Sequence, residues 1–98
     1  MYGLIGKMTA KPGQRDALQA ILLGNDGEMP GCLSYIIAID SEDATALWIT
    51  EVWDSEASHK ASLSLPAVRA AISKGQPFIT GMGKPIITTP VGGHGLPG

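Results

Sequence analysis

Alternation of apolar and polar residues along the chain predicts β-strands. Residues 2–10 alternate with a period of two, and residues 32–40 and 45–53 are rich in strand-forming residues. The short polar stretch between the second and third of these strands predicts that they form an antiparallel hairpin. A fourth strand is predicted over 84–89, at an edge or a strand start, because Pro85 cannot donate a ladder hydrogen bond.

Two helical regions lie between these strands. Apolar residues at spacing i, i+3, i+4 predict a helix over 13–23, with one apolar stripe facing the core. The second region begins at Glu56, with Asp54 or Ser55 as its N-cap, and Pro66 divides it into two pieces. The resulting order is β-α-β-β-α-β, so the sequence predicts an α+β, ferredoxin-like fold.

Two segments lack a regular period. Residues 76–80 are compatible with either a helical turn or a loop. Residues 91–98 are rich in glycine and proline, and we expect them to form an extended arm or a disordered end. We therefore expect one domain over residues 1–90 and a C-terminal tail over residues 91–98.

Both faces of the predicted sheet carry apolar residues. In the third strand, one face holds Leu47, Ile49, Glu51 and Trp53, and the other holds Trp48, Thr50 and Val52. Helices on one side of the sheet cover one face alone, and the chain has no further element for the other. We therefore expect a homodimer in which two sheets pack face to face. A monomer with a modest apolar surface is the alternative.

Composition and charge exclude several classes of function. The chain of 98 residues has a net charge of −2 and seven scattered basic residues, which disfavours binding to nucleic acid. No apolar run is long enough to span a membrane, and the N-terminal residues do not resemble a signal peptide. Because the single cysteine, Cys32, cannot form an internal disulfide, we expect a reducing, cytoplasmic location.

No motif in the sequence indicates a metal or a nucleotide cofactor. His59 and His94 are far apart, and no spacing of His, Cys and Asp suggests zinc or non-haem iron. The G-x-G of residues 81–83 lacks the third glycine and the helix of a dinucleotide site. Walker and G-x-S-x-G motifs are absent as well. We therefore expect neither metal nor cofactor, and we expect Cys32 to be a buried structural thiol.

One segment carries candidate chemistry, the third strand and the start of the next helix. Glu51 and Trp53 are two residues apart on a strand and share a face. Because its neighbours are apolar, the Glu51 carboxylate should either find a partner or favour its neutral form. His59, about one helical turn further on, can fold back and form an acid/base pair with Glu51 beneath the indole. On the residues alone, a structural pair beside a core tryptophan is the commoner arrangement.

The same segment resembles one enzyme family. The run E-V-W-D-S-E-A-S-H follows Pro12-Gly13 and Pro30-Gly31-Cys32, and precedes the segments L-S-L-P-A-V-R, G-M-G and T-P-V-G-G-H-G-L. In order and spacing, these motifs over residues 2–96 resemble the antibiotic biosynthesis monooxygenase family, and in particular a branch of candidate quinol monooxygenases. The resemblance implies a dimeric α+β barrel with a pocket between sheet and helices, and a C-terminal strand that often reaches onto the partner.

The resemblance also implies an activity, the oxygenation of quinol- or anthrone-type aromatics with O₂ and without metal, haem or flavin. A deprotonated substrate can reduce O₂ directly, so the protein need only hold it in a dry pocket and assist proton removal. Trp53 would then form an apolar wall against the substrate. His59, oriented by Glu51, would accept its phenolic proton. Tyr35 or Tyr2 would line the cavity and hydrogen-bond a ring oxygen.

The sequence leaves other functions open. The chain can be a non-catalytic, dimeric small-ligand-binding or stress-related domain in which Glu51 and His59 are structural. A muconolactone-isomerase-like enzyme shares the dimeric barrel and needs only a proton shuttle. A haem-degrading enzyme of the same superfamily is disfavoured. Trp53 matches its tryptophan, but Gly6 and Ile72 stand near the positions of its asparagine and its haem-ligating histidine.

Overall fold

The computed structural model describes residues 1–24 and 27–97 and has an α+β architecture. Its elements are β1 (Tyr2–Ala10), α1 (Arg15–Leu23), β2 (Cys32–Ile39), β3 (Ala46–Trp53), α2 (Glu56–Ser62), α3 (Pro66–Gly75), a 3-10 turn (Gln76–Phe78), β4 (Ile79–Met82) and β5 (Ile86–Thr88). The ferredoxin-like order is therefore confirmed, with β4 and β5 together in the place of the fourth strand. None of the helices in the described ranges is long and apolar enough to cross a lipid bilayer.

All five strands form one antiparallel sheet, and β1 is central to it. The strand order is β2-β3-β1-β4, and β5 also pairs with β1. β4 pairs with the C-terminal end of β1 from Met8 onward, and β5 pairs with its N-terminal half at Gly3, Leu4 and Ile5. β1 and β3 are adjacent, as in split β-α-β units.

The edge strand differs from its prediction. We predicted one strand over 84–89, whereas the structure has β4 in the segment without a clear period and a β5 of only three residues. The Gly83 N–H donates to the carbonyl of Lys7 at 2.9 Å, but Pro85 has no N–H with which to continue the ladder. A glycine-rich segment and a proline therefore divide the edge into two short pieces.

The core lies between α1 and one end of the sheet's inner face, the face that the helices cover. Leu18 of α1 is fully buried and packs with Met8, Ala10 and Leu47 of the two central strands. Burying one leucine side chain contributes roughly 1.5–3 kcal/mol. This cluster therefore fixes α1 on the sheet.

A side-chain cap sets the start of α2. Of the two predicted caps, Ser55 takes the role, because its Oγ accepts a hydrogen bond from the Ser58 N–H at 3.1 Å. α3 begins at Pro66, in a first turn where proline costs no helical hydrogen bond. Since the cap fixes where α2 begins, it also fixes where His59 lies, one turn further along.

Gly13, with φ of 78°, and Gly31, with φ of 86°, both adopt the left-handed backbone that favours glycine. A Cβ at residue 13 would meet nothing within 4 Å. A Cβ at residue 31 would lie 2.6 Å from the Cβ of Ser58 and 2.7 Å from Oδ1 of Asp54. The loop before β2 is therefore packed directly against the start of α2.

We expect Gly31→Ala to destabilise the fold by more than Gly13→Ala. Both substitutions place a Cβ on left-handed backbone, at a cost of about 1–2 kcal/mol. Only Gly31→Ala adds a steric clash, which costs about 1–3 kcal/mol more. Urea unfolding measures both free energies, with Gly13→Ala as the control for backbone strain. Equal losses in the two variants would contradict the close packing of this loop against α2.

Candidate functional site

A cavity of about 520 Å³ lies between the inner face of the sheet and the three helices. Met8 and Ile49 line it from the central strands, and Leu63, Val68 and Ile72 line it from the helical side. Because most of the lining is apolar, a ligand inside would be largely removed from water. The volume lies within the usual range for small-molecule sites, roughly 300–1,000 Å³.

A carboxylate and an indole form the polar centre of this cavity. Glu51 and Trp53 both line it, and the indole N–H of Trp53 donates to Oε1 of Glu51 at 3.0 Å. Trp53 is 1% exposed, so its N–H needs a protein acceptor. Their spacing of two residues along β3 brings both side chains to one face. The expected partner of Glu51 is therefore present, and it is the indole.

His59 reaches the same cavity from α2. Its ring lies edge-on to Trp53, with 5.5 Å between the ring centroids, and tilted to Tyr2 at 5.7 Å. No hydrogen bond joins His59 to Glu51 within the part of the chain that the structure describes. Aromatic packing positions the imidazole, whereas we expected Glu51 to orient it.

The two tyrosines occupy different places. Tyr35 pairs with Glu51 in register across β2 and β3, and both line the cavity. Burial, and secondly the negative charge of Glu51, raise the pKa of Tyr35 to about 12. The phenol is therefore neutral and able to donate a hydrogen bond at physiological pH. Tyr2 is not among the lining residues and meets the site through its contact with His59.

Three further polar residues line the cavity, Ser62, Gln76 and Thr80. Ser62 is buried, and its hydroxyl donates to the carbonyl of His59 at 2.6 Å. Its i, i+3 spacing from His59 on a helix is a signal that could have identified it. Gln76 and Thr80 lie in the segment that had no period in the sequence, so no pattern placed them on the cavity.

Cys32 lies outside the cavity lining. Its thiol donates to the carbonyl of Ser34 at 3.6 Å, and burial raises its pKa. Both observations fit an unreactive structural thiol, since the thiolate is the reactive form. Among residues 1–24 and 27–97, no group of three or more His, Cys, Asp or Glu side chains is placed to hold a metal ion.

Comparison with solved structures finds a relative that is similar in sequence as well as in fold, and others that share the fold. The crystal structure of a candidate antibiotic biosynthesis monooxygenase from Chloroflexus aurantiacus is 61% identical over 98% of both chains, with a TM-score of 0.92. A protein of the same description from Nitrosomonas europaea is 16% identical, covers 93% of this chain and 99% of its own, and has a TM-score of 0.83. One from Deinococcus radiodurans is 23% identical over the full length of both chains, with a TM-score of 0.77.

The Nitrosomonas and Deinococcus proteins share too little sequence with this chain to show more than a common fold. No curated protein gives a significant match. The family model described as antibiotic biosynthesis monooxygenase matches residues 1–74, which include β1 to β3, α2 and most of α3. The cavity residues Tyr35, Glu51, Trp53 and His59 all fall within this range. By this match and by its identity to the Chloroflexus protein, the chain belongs to the antibiotic biosynthesis monooxygenase family.

Proposed function

We propose that the protein is a monooxygenase that binds a quinol- or anthrone-type aromatic in its cavity and oxygenates it with O₂. The observation that carries this proposal is an apolar cavity of about 520 Å³ in which a histidine, a carboxylate, an indole and a neutral phenol meet. An aromatic ring fits this volume, and the apolar walls keep water from the reacting atoms. Membership of the family supports the same class of reaction.

The proposed reaction uses the substrate itself as the electron donor. Removal of a proton gives an electron-rich anion, which transfers one electron to O₂. The substrate radical and superoxide then combine to form a peroxide at carbon. Its O–O bond breaks, one oxygen remains as a carbonyl, and the other leaves as water with two hydrogens of the substrate. No cofactor enters this scheme, because the anion and O₂ supply all the electrons.

Four side chains have roles in this proposal. His59 accepts the phenolic proton. Glu51, an anion in the same apolar cavity, stabilises the imidazolium that forms, because charges interact strongly where water is excluded. Trp53, held by its hydrogen bond to Glu51, forms part of the apolar wall against the substrate. The neutral phenol of Tyr35 donates a hydrogen bond to a ring oxygen.

A non-catalytic ligand-binding domain is the second candidate, and one feature of the site favours it. The imidazole of His59 contacts the rings of both Tyr2 and Trp53, and Glu51 already has the indole as its partner. Such a site can hold an aromatic ligand without reacting with it. Oxygen consumption separates the two candidates, because both bind the ligand and only the enzyme consumes O₂.

We further propose that a second copy of the chain covers the outer face of the sheet, the face opposite the helices. Ile36, Thr50, Ile5 and Ile86 lie in register across four strands and form an apolar row on this face. Ile36 and Ile86 are 54% and 57% exposed. Two such rows, packed face to face, would remove these side chains from water.

Polar groups border this row at the hairpin end of the outer face. The Trp48 indole N–H donates to Oδ2 of Asp40 at 2.7 Å, and the Lys7 ammonium lies 5.8 Å from the centre of the indole ring. The Trp48 N–H and two backbone N–H groups lower the pKa of Asp40 to about 2, so this carboxylate stays charged at physiological pH. An apolar centre with a polar border is the usual composition of a protein interface.

We expect His59→Ala to lower kcat/KM for a hydroquinone under O₂ by about 10²–10⁴-fold, the usual contribution of a general base. Oxygen uptake against a panel of hydroquinones measures this, with chelator-treated protein in parallel. Lys60→Ala is the control, since this neighbour on α2 is exposed and pairs with Glu56. Unchanged turnover in His59→Ala would remove His59 from the mechanism. Uptake abolished by chelation would contradict the cofactor-free reaction.

We expect Tyr35→Phe to change how stability depends on alkaline pH. The pKa of Tyr35 in the folded chain is about 12, above its usual value of 10.0, so folding favours the neutral phenol. This contribution is complete below pH 10 and is lost as pH rises towards 12. Urea unfolding across this interval should show a steeper loss in the wild type than in Tyr35→Phe. Parallel curves would contradict a raised pKa for Tyr35 in the folded chain.

We expect Ile36→Asp to convert the proposed dimer to a monomer, because it would bury an unpaired carboxylate at the centre of the interface. Sedimentation equilibrium measures the mass. Leu23→Asp is the control, since Leu23 at the end of α1 is 61% exposed and lies away from the sheet. A wild-type chain that sediments as a monomer would refute the dimer, and so would an unchanged mass in Ile36→Asp.

A further inference from the structure

The fixed charge in the lining of the cavity is negative. Glu51 is the only carboxylate among the described residues that line it, and none of those residues is a lysine or an arginine. Tyr35 and His59 are the other ionisable side chains of the lining. Tyr35 is neutral at physiological pH, so it cannot offset the charge of Glu51.

The basic residues of the chain are directed elsewhere. Lys7 pairs with Asp43 at 3.8 Å, and Lys60 pairs with Glu56 at 3.0 Å on the exposed side of α2. The guanidinium of Arg15 donates to the carbonyl of Asp43 at 2.9 Å. The four remaining basic residues are exposed and outside the cavity: Lys11, Arg69, Lys74 and Lys84. No fixed cation is therefore available to pair with an anionic group on a ligand.

Glu51 is held in place within the cavity. It belongs to a central strand, between β1 and β2 in the sheet, and the buried Trp53 donates to its Oε1. Its charge acts across the cavity, since it contributes to the raised pKa of Tyr35 on the neighbouring strand. Because most of the lining is apolar, water screens the repulsion of a second anion inside less than it would in bulk solution.

We propose that Glu51 determines specificity by restricting the cavity to uncharged aromatic ligands and excluding those that carry a carboxylate. This inference rests on the function proposed above and defines its substrate class. A neutral phenol can donate its hydroxyl to Oε2 of Glu51, whereas a carboxylate meets a like charge and no lysine or arginine among the described lining residues. The same cavity disfavours a muconolactone-type substrate, which carries a carboxylate.

The test compares two ligands that differ only in charge, gentisate and its primary amide. Both are the same dihydroxybenzene, with either a carboxylate or an uncharged amide as the third substituent. Calorimetric titration of the full chain under nitrogen measures binding while O₂ is excluded, so the result does not depend on turnover. We expect the amide to bind at least tenfold more tightly, a difference of about 1.4 kcal/mol.

Glu51→Gln is the decisive variant, because its amide oxygen can still accept from Trp53 while the charge is removed. We expect gentisate to bind this variant within about threefold of the amide. Glu56→Gln is the matched control, since this carboxylate lies on the exposed side of α2, and it should keep the wild-type preference.

Equal or tighter binding of gentisate to the wild type would overturn the proposal. An amide preference that persists in Glu51→Gln would overturn the role of Glu51. Failure of the proposed function has a different signature. In that case the uncharged amide still binds more tightly than gentisate, but no oxygen is consumed when air is admitted.

Discussion

Three short helices cannot fill the whole inner face of a five-stranded sheet, and the unfilled part is the site. α1 packs Leu18 against Met8 and Leu47, and Leu18 and Met8 also form part of the cavity wall. α2 and α3 stand over Glu51 and its neighbours without filling the space between. The core and the cavity therefore share side chains: Leu18 and Met8 belong to both. The packed side chains stabilise the fold, and the space left between sheet and helices remains available for a ligand.

Strand register determines which chemical groups meet in that space. Tyr35, Glu51 and Leu4 are in register across β2, β3 and β1, so phenol and carboxylate lie side by side on one face. Such neighbours on adjacent strands are close enough to interact directly. This proximity is why the charge of Glu51 reaches Tyr35 and contributes to its raised pKa. A shift of one residue in the pairing of β2 with β3 would send one of the two groups to the opposite face.

The parts of the structure that follow from local periodicity were predictable, and those that depend on tertiary contacts were not. The bounds of β1 agree with the predicted 2–10, and the shared face of Glu51 and Trp53 follows from their spacing. The partner of Glu51 did not follow, because indole and imidazole were both within plausible reach and side-chain torsions decide between them. β4 was missed for a related reason. Its sequence has no period, and pairing with β1, not local propensity, makes it a strand.

The carboxylate that repels anionic ligands also favours the proposed chemistry. Electron transfer from a substrate anion to O₂ is easier where the local potential is negative, because the potential raises the energy of the electron on the ring. Glu51 supplies that potential, and the largely apolar lining weakens its screening by water. The same charge disfavours removal of the proton, because it places a phenolate beside a carboxylate. A base in the same cavity reduces this cost, since the proton taken up by His59 stays in the cavity with the two anions. Exclusion of anionic ligands and activation of a neutral phenol therefore have one physical cause in this proposal, a fixed negative charge in a largely apolar cavity that also holds a histidine.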